Sequence, residues 1–486
     1  MSEAVKIHKQ NGKMLEYKGE PVVLVCATEH YGAVMNRPFD FEAYLKDCKA
    51  KNQNYTRLFL LFRELQTKEN PYSTCKPESP DYISPFQRVG PDQAVDLLPK
   101  YDLMVWNNEF FERLHRFMRL ARDCDVIVEV VLFSCSYQQP LFELLPLSGK
   151  NNVNGTEDVH FNVALSMKAP KLFGHEKRYV QKIVEELNEY PNFLFEICNE
   201  PLSFFPQHAT VDEINEWQAE LIRFIRALEK DMPHQHLIAA EECWKWHEGE
   251  ELEVGTDHSF RHMDIDIVNV HPLPNMKYGG KTYDLGAFMS KRLHLETYKA
   301  FCLDTYHEAK MLNMDEDNIA SEFRDYEGWT IHRKRAWTAV FCGAHYDYID
   351  FSIQVMCPTG TPDSQKHVRS WFQYLQNYLA CVDLVSCKPS HRVKAAPEET
   401  LACALEDQRG FHIYLADKRE VDEAGHGGVI KGTLVMDLPD EEYLVSAYAP
   451  EFGQFSVETR LLGGREILLP EFRHDLVLRI RKTGAP

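Results

Sequence analysis

Two apolar runs in this chain end on a glutamate. Residues 193–201 read FLFEICNEP, closing on Asn199-Glu200 before Pro201 interrupts any ladder. Residues 318–325 read NIASEFRD and close on Glu322. A carboxylic acid at a strand end can protonate a leaving oxygen, and the amide beside it can donate to a substrate hydroxyl. A second carboxylate across the same opening can attack carbon, which requires the two to stand about 5–5.5 Å apart. Either motif alone is commonplace, but a pair on facing strands is the arrangement that cleavage of an acetal demands. Glu241, Glu242, Asp347 and Asp350 compete for the second position because they also fall in or at the ends of apolar runs. Glu322 is preferred for its place in the strand order, which makes Glu200 and Glu322 the expected catalytic pair.

That order comes from hydropathy. Short β-branched or aromatic runs at 21–28, 54–62, 126–133, 192–199, 236–242, 266–271, 318–323 and 346–353 alternate with amphipathic stretches. Those stretches include 108–124, 176–190, 211–232, 333–344 and 366–382. Nearly continuous apolar strands separated by helices predict an α/β fold with a parallel sheet covered on both faces. Eight such units predict a (β/α)8 TIM barrel over residues 1–390, with strands four and seven facing each other across its mouth. A doubly wound sheet is the alternative, but no GxGxxG follows the first run. Long insertions at 64–107 and 134–174 follow strands two and three, where a barrel carries its binding loops. From 391 to 486 the pattern becomes short strands with Gly, Pro and Asp turns, predicting a small all-β sandwich. Packing on the barrel is its expected use.

Composition limits the function classes. The 486 residues carry 54 Lys+Arg against 74 Asp+Glu, a formal charge of −20, with no basic run to follow a phosphate backbone. Nucleic acid is therefore not an expected partner. No stretch reaches the about 18 apolar residues of a membrane span, and the N-terminus lacks a signal-peptide core. Thirteen Cys, scattered and odd in number, fit reduced thiols. A cytoplasmic location is expected, secretion only if a leader has been removed, and a homo-oligomer stays open. No CxxC or HExxH occurs, so neither a metal nor another cofactor is expected. The acidic run 314–318, MDEDN, lacks the spacing of a calcium loop and reads as a solvated turn.

In its motifs the chain resembles clan A of the glycoside hydrolases, (β/α)8 retaining enzymes with catalytic glutamates ending strands four and seven. NYTRLF (54–59) resembles that clan's second strand, which implies that Arg57 supports the nucleophile. FEICNEP implies Asn199 as a contact to the sugar 2-hydroxyl and Glu200 as acid/base. VNVHP (268–272) implies an active-site His271, and IASEF implies Glu322 as nucleophile. EHYGAV (29–34), PFQRVG with KYDL (85–103) and NNVNG (151–155) are similar to cellulase-like bacterial glycoside hydrolases that carry a C-terminal β-sandwich. The resemblance implies a retaining hydrolase of a β-linked glycan or oligosaccharide. It departs in one place: many clan members place a Trp on strand eight, whereas this run reads YDYIDFSI. That departure is the support for a competing reading, a barrel that binds carbohydrate without cleaving it. Beyond the motifs, His30 and Tyr31 follow strand one and could meet sugar hydroxyls. Trp244, Trp246 and Trp329 follow strands five and seven, where indole faces could stack on a pyranose.

Overall fold

Eight parallel strands form one sheet in the computed structural model, which describes residues 4–30, 32–63, 79–247 and 251–483. They are β1 (Val25–Thr28), β2 (Tyr55–Phe59), β3 (Ile127–Ser134), β4 (Phe193–Asn199), β5 (Ile238–Ala240), β6 (Ile267–Asn269), β7 (Met311–Met314) and β8 (His345–Ile349). Each is buried along its whole length, as strands covered on both faces must be. Ladders link β2 through β8 in sequence, and β8 then pairs with β1. Between β1 and β2 side chains bridge the seam. Gln53 Oε1 accepts from the Ala27 N–H at 3.1 Å, while Asn54 accepts from Val25 N–H and donates to Val23 O. Amides can do this because each offers both a donor and an acceptor to an unpaired backbone edge.

A helix follows each strand. In order these are α1 (Phe41–Ala50), α2 (Asn108–Asp123), α3 (Pro170–Leu187), α4 (Val211–Glu229), α5 (Asp257–Arg261), α6 (Leu295–Thr305), α7 (Tyr326–Phe341) and α8 (Val368–Leu379). This is the (β/α)8 barrel that the alternating runs predict. None of the described helices is long and apolar enough to cross a membrane. The N-terminal segment runs under the N-terminal ends of the strands. Val5 N–H donates to Pro191 O just before β4, and Lys13 Nζ donates to Glu308 O and Lys310 O just before β7. The opposite rim, at the strands' C-terminal ends, is left to the loops.

One strand departs from expectation. Residues 318–323 contain no strand, 319–322 being turn, and β7 is the earlier run MLNM, in register with β6 (Asn269 beside Asn313) and β8 (Asn313 beside His345). Four residues with a polar Asn among them are enough because both neighbours complete the ladder. The consequence is that the acidic run 315–317, not Glu322, stands at the end of strand seven.

Beyond the barrel the main C-terminal strands are β9 (Thr400–Asp407), β10 (Gly410–Asp417), β11 (Thr433–Met436), β12 (Glu442–Ala449) and β13 (Asp475–Lys482). All but β11 belong to a seven-stranded antiparallel sheet, and β11 is central in a three-stranded sheet. The two-residue period of β10 sorts its side chains. Ile413 and Leu415 enter a core with Leu434, Leu478 and Ile480, whereas Tyr414 and Ala416 join the barrel's core.

Candidate active site

Two glutamates at the C-terminal rim have left-handed backbones, Glu200 at φ 48° and Glu316 at φ 49°, as does Tyr137 beside them at φ 59°. Bulky residues adopt this region only when their surroundings impose it. At Glu200 the imposition comes from the segment after β5: Glu241 Oε1 accepts the Glu200 N–H at 3.1 Å, and Trp244 N–H donates to Pro201 O. At Glu316 it comes from β8 and the following loop. Asp347 O accepts the Asp317 N–H at 2.9 Å, and Asn318 Nδ2 donates to Glu316 Oε1 at 3.0 Å. The two kinks turn both carboxyls inward. An oxygen of each and a nitrogen of His271 lie within 4.8 Å of one another.

Arg57, on β2, holds this geometry from below. Its guanidinium donates to Glu316 Oε2, to Glu196 Oε2 at 2.5 and 3.2 Å, and to Asn199 Oδ1 at 3.0 Å. Its planar fork suits several carboxylate partners at once. Asn199 Nδ2 donates to Ser134 Oγ and to the Tyr137 hydroxyl, both at 3.2 Å, and Tyr137 in turn donates to Glu200 Oε2. His271 Nδ1 meets Glu200 Oε1 at 2.9 Å, and its Nε2 lies 3.2 Å from Glu241 Oε1 and 3.8 Å from Glu316 Oε2.

Buried carboxyls outnumber the cations here. Glu129, Glu196, Glu200, Glu241, Asp315, Glu316 and Asp347 surround Arg57 and His271, so they cannot all ionise. Burial raises Glu196 to about 8 against the pull of Arg57, and raises Glu129 to about 7 with help from the Asp315 charge. Burial also puts Glu241 and Asp347 well above the ordinary carboxylate range. His271 goes the other way. Burial opposes its charge, but Glu241, Glu316, Asp315 and Glu200 outweigh that and lift it well above an ordinary imidazole. Glu200 is partly buried, which works against its charge, yet the His271 imidazolium, the Tyr137 hydroxyl and Arg57 together bring it below its usual value. Glu316 stays raised, since burial and the neighbouring Glu200 and Asp315 charges exceed the help from His271 and Arg57.

Among the described residues two clusters have spacing that suits a metal ion, Glu200 with His271 and Glu316, and Glu129 with Glu196 and Asp315. Arg57 lies against the second, with Nε 3.2 Å from Asp315 Oδ2, so a protein cation already supplies its positive charge.

The structure gathers Glu200, Asn199, Arg57, His271, His30 and Trp244 at this rim. His30 lines the opening and stacks on Phe351 with centroids 5.0 Å apart; Trp244 lines it and donates from Nε1 to Glu241 Oε2 at 3.1 Å. Two expected residues are not brought there. Glu322 is exposed in the turn after Glu316, with none of the contacts above. Trp329 is buried inside α7, stacked on His367 at 5.7 Å, because helix rather than loop begins at Tyr326. Tyr31 lies outside the described residues. Glu316, Tyr137, Asn318 and Phe351 were not singled out from sequence. The acidic run was misread as solvated: Asp315, Glu316 and Asp317 are all buried, and Asp317 takes both ends of the Arg335 guanidinium at 2.6 and 3.0 Å. Three acids directly after a four-residue apolar run were the available signal.

Residues 89–378 match the family model described as cellulase, glycosyl hydrolase family 5. No curated protein matches the sequence. Among solved structures, a glycoside hydrolase superposes with a TM-score of 0.63 at 12% identity, covering 100% of this chain and 98% of its own. A glycoside hydrolase family 5 protein from Bacteroides vulgatus ATCC 8482 gives 0.62 at 12% identity, covering 99% and 94%. At such identities these likenesses speak for the fold.

Proposed function

Because the chain belongs to glycosyl hydrolase family 5 and is a glycoside hydrolase, we propose that it cleaves a β-linked glycoside by double displacement, with Glu316 as nucleophile and Glu200 as acid/base. The observation that carries this reading is the approach of the two carboxyls to within 4.8 Å. A retaining pair needs about 5–5.5 Å, whereas an inverting pair leaves about 6.5–9.5 Å for a water.

Glu316 attacks the anomeric carbon while Glu200 protonates the departing oxygen. Arg57 holds Glu316 in place and favours its ionised form. The proton that Glu200 must deliver resides in the His271 Nδ1 to Glu200 Oε1 hydrogen bond, where it can sit on either partner without changing the site's net charge. Once Glu316 is esterified its charge is gone, and Glu200 acts as base on the incoming water. Asn199, oriented by Arg57, stands beside Glu200 to meet the sugar 2-hydroxyl.

Substituting each glutamate separately tests the assignment. Glu316→Ala should lower turnover of an aryl β-glycoside by about 10³-fold or more. Azide should restore activity with formation of the inverted glycosyl azide. Glu322→Ala, altering an exposed turn, should turn over as the parent does. Full activity in Glu316→Ala, or its loss in Glu322→Ala, would move the nucleophile elsewhere.

A further inference from the structure

The opening above Glu200 and Glu316 is a cavity of about 630 Å³, and its two halves differ in chemistry. Loops after β1, β3 and β7 bring His30, Tyr137, Gln138 and Asn318, each able to bond a hydroxyl, and Phe351 after β8 adds an apolar ring on that side, stacked on His30. Loops after β4, β5 and β6 bring Leu202, Phe204, Trp246, Leu252, Leu273 and Phe288. β4, β5 and β6 are neighbours in the sheet, so these six side chains belong to one continuous wall. Trp246 and Phe288 remain 48% and 52% exposed, apolar surface that the described residues leave partly open at the mouth.

Glu200 ends β4, at the edge of the apolar half, and Glu316 ends β7, among the polar groups. In a retaining reaction the acid stands beside the leaving group, and the nucleophile approaches the sugar ring from the other side. Resting on the proposed roles of Glu200 and Glu316, we infer that the leaving group is apolar: the substrate is a glycoside of an alkyl or aryl alcohol, not an oligosaccharide extended past the cleaved bond. The polar half has the donors and acceptors for one sugar ring. A second sugar on the other side would set its hydroxyls against leucine side chains, where each would lose water without gaining a partner. Aromatic faces alone could stack on a pyranose, but Leu202, Leu252 and Leu273 interrupt them with aliphatic surface. An alkyl chain or aryl ring has no hydroxyls to satisfy and gains from covering Trp246 and Phe288.

The test is a series of methyl, butyl and octyl β-glycosides beside a disaccharide with the same non-reducing sugar. Simple primary alkanols are similar leaving groups, so differences along the series report contact with the wall. The expected result is a kcat/KM at least tenfold higher for octyl than for methyl, with the disaccharide below octyl. Leu273→Asn and Phe288→Ser should each cut the octyl-to-methyl ratio at least threefold; Phe288 is half exposed, so its substitution spares the core. A flat series, or a disaccharide cleaved better than the octyl glycoside, overturns the inference. The corresponding glycosyl fluoride separates the two levels, because fluoride is too small to touch the wall. Turnover of the fluoride with a flat alkyl series defeats the apolar leaving group alone, while no turnover of fluoride or glycosides defeats the retaining mechanism and this inference with it.

Discussion

At the scale of single residues the site depends on where one proton sits. His271 and Glu200 share it across 2.9 Å, and the surrounding carboxylates raise the imidazole well above its ordinary value. The pair therefore titrates as a unit, and its apparent value belongs to neither group alone. If Glu200 is the acid as proposed, the proton for leaving-group departure is present below that value; as pH rises through it the proton leaves and turnover falls. The alkaline limb of kcat should accordingly lie above the about 6.5 of a free imidazole. His271→Gln removes the basic partner while keeping a side chain of similar length, and Glu200 must then retain the proton alone. We expect the alkaline limb of the variant to move down by about one pH unit or more, with KM changed less than kcat. An unmoved limb would mean that Glu200 holds its proton without help from the imidazole. Tyr137 belongs to the same network, since its hydroxyl donates to Glu200 and accepts from Asn199.

At the scale of elements, the barrel was legible wherever a strand is a long apolar run. β3 and β4, eight and seven buried residues, stand almost where the hydropathy places them. β7 was not, because four residues with a central Asn do not stand out, and its pairing with β6 and β8 is information carried by distant segments. Missing it moved the carboxylate expected at the end of strand seven by six positions, to Glu322, whereas the structure has Glu316 there. The acidic residues that follow β7 look like solvent-facing residues until Arg57, His271 and Arg335 are known to meet them. Helices show the same limitation at Glu176. The amphipathic pattern begins a helix there, whereas α3 starts at Pro170 and buries Glu176 against α4, with Trp217 Nε1 donating to its Oε2 at 2.9 Å. Burial raises this carboxyl to about 8, the indole N–H only partly opposing it. A group raised in the folded state favours folding below its unfolded value of about 4.5, and that contribution is lost as pH climbs toward about 8. Glu176→Gln removes the titration while keeping the shape. The variant should gain on the order of 2–3 kcal/mol over the parent at pH 7, and almost nothing near pH 4.5, in paired urea titrations. An equal gain at both pH values would show that burial of the charge is not the cause.

At the scale of the whole molecule, α7 joins the catalytic rim to the C-terminal sheet. Its residues from Gly328 to Phe341 are all buried, so it has no solvent face and three consecutive cations must find partners inside. Arg335 turns toward the barrel and grips Asp317, the residue after Glu316, with both ends of its guanidinium. Arg333 and Lys334 turn toward the sheet. Arg333 pairs with Asp475 through two hydrogen bonds of 2.9 and 3.0 Å, and Lys334 Nζ donates to Asp417 O at 2.7 Å. Trp337 stacks on Tyr414 of β10, with centroids 5.5 Å apart and planes at 17°. The β-sandwich thus completes the burial of the helix that braces the backbone beside Glu316, and removing its half of an ion pair should be felt in both parts. Asp475→Ala leaves Arg333 charged and buried without its partner, a loss of about 3–5 kcal/mol. Replacing both residues, Arg333→Met with Asp475→Leu, should recover most of that stability because neither charge remains. The expected urea curves show the single variant unfolding at markedly lower denaturant and the double variant close to the parent, with activity and fluorescence lost together in each. If the single variant lost the sheet's signal first while turnover persisted, α7 would be held by the barrel alone and the sandwich would be an appendage.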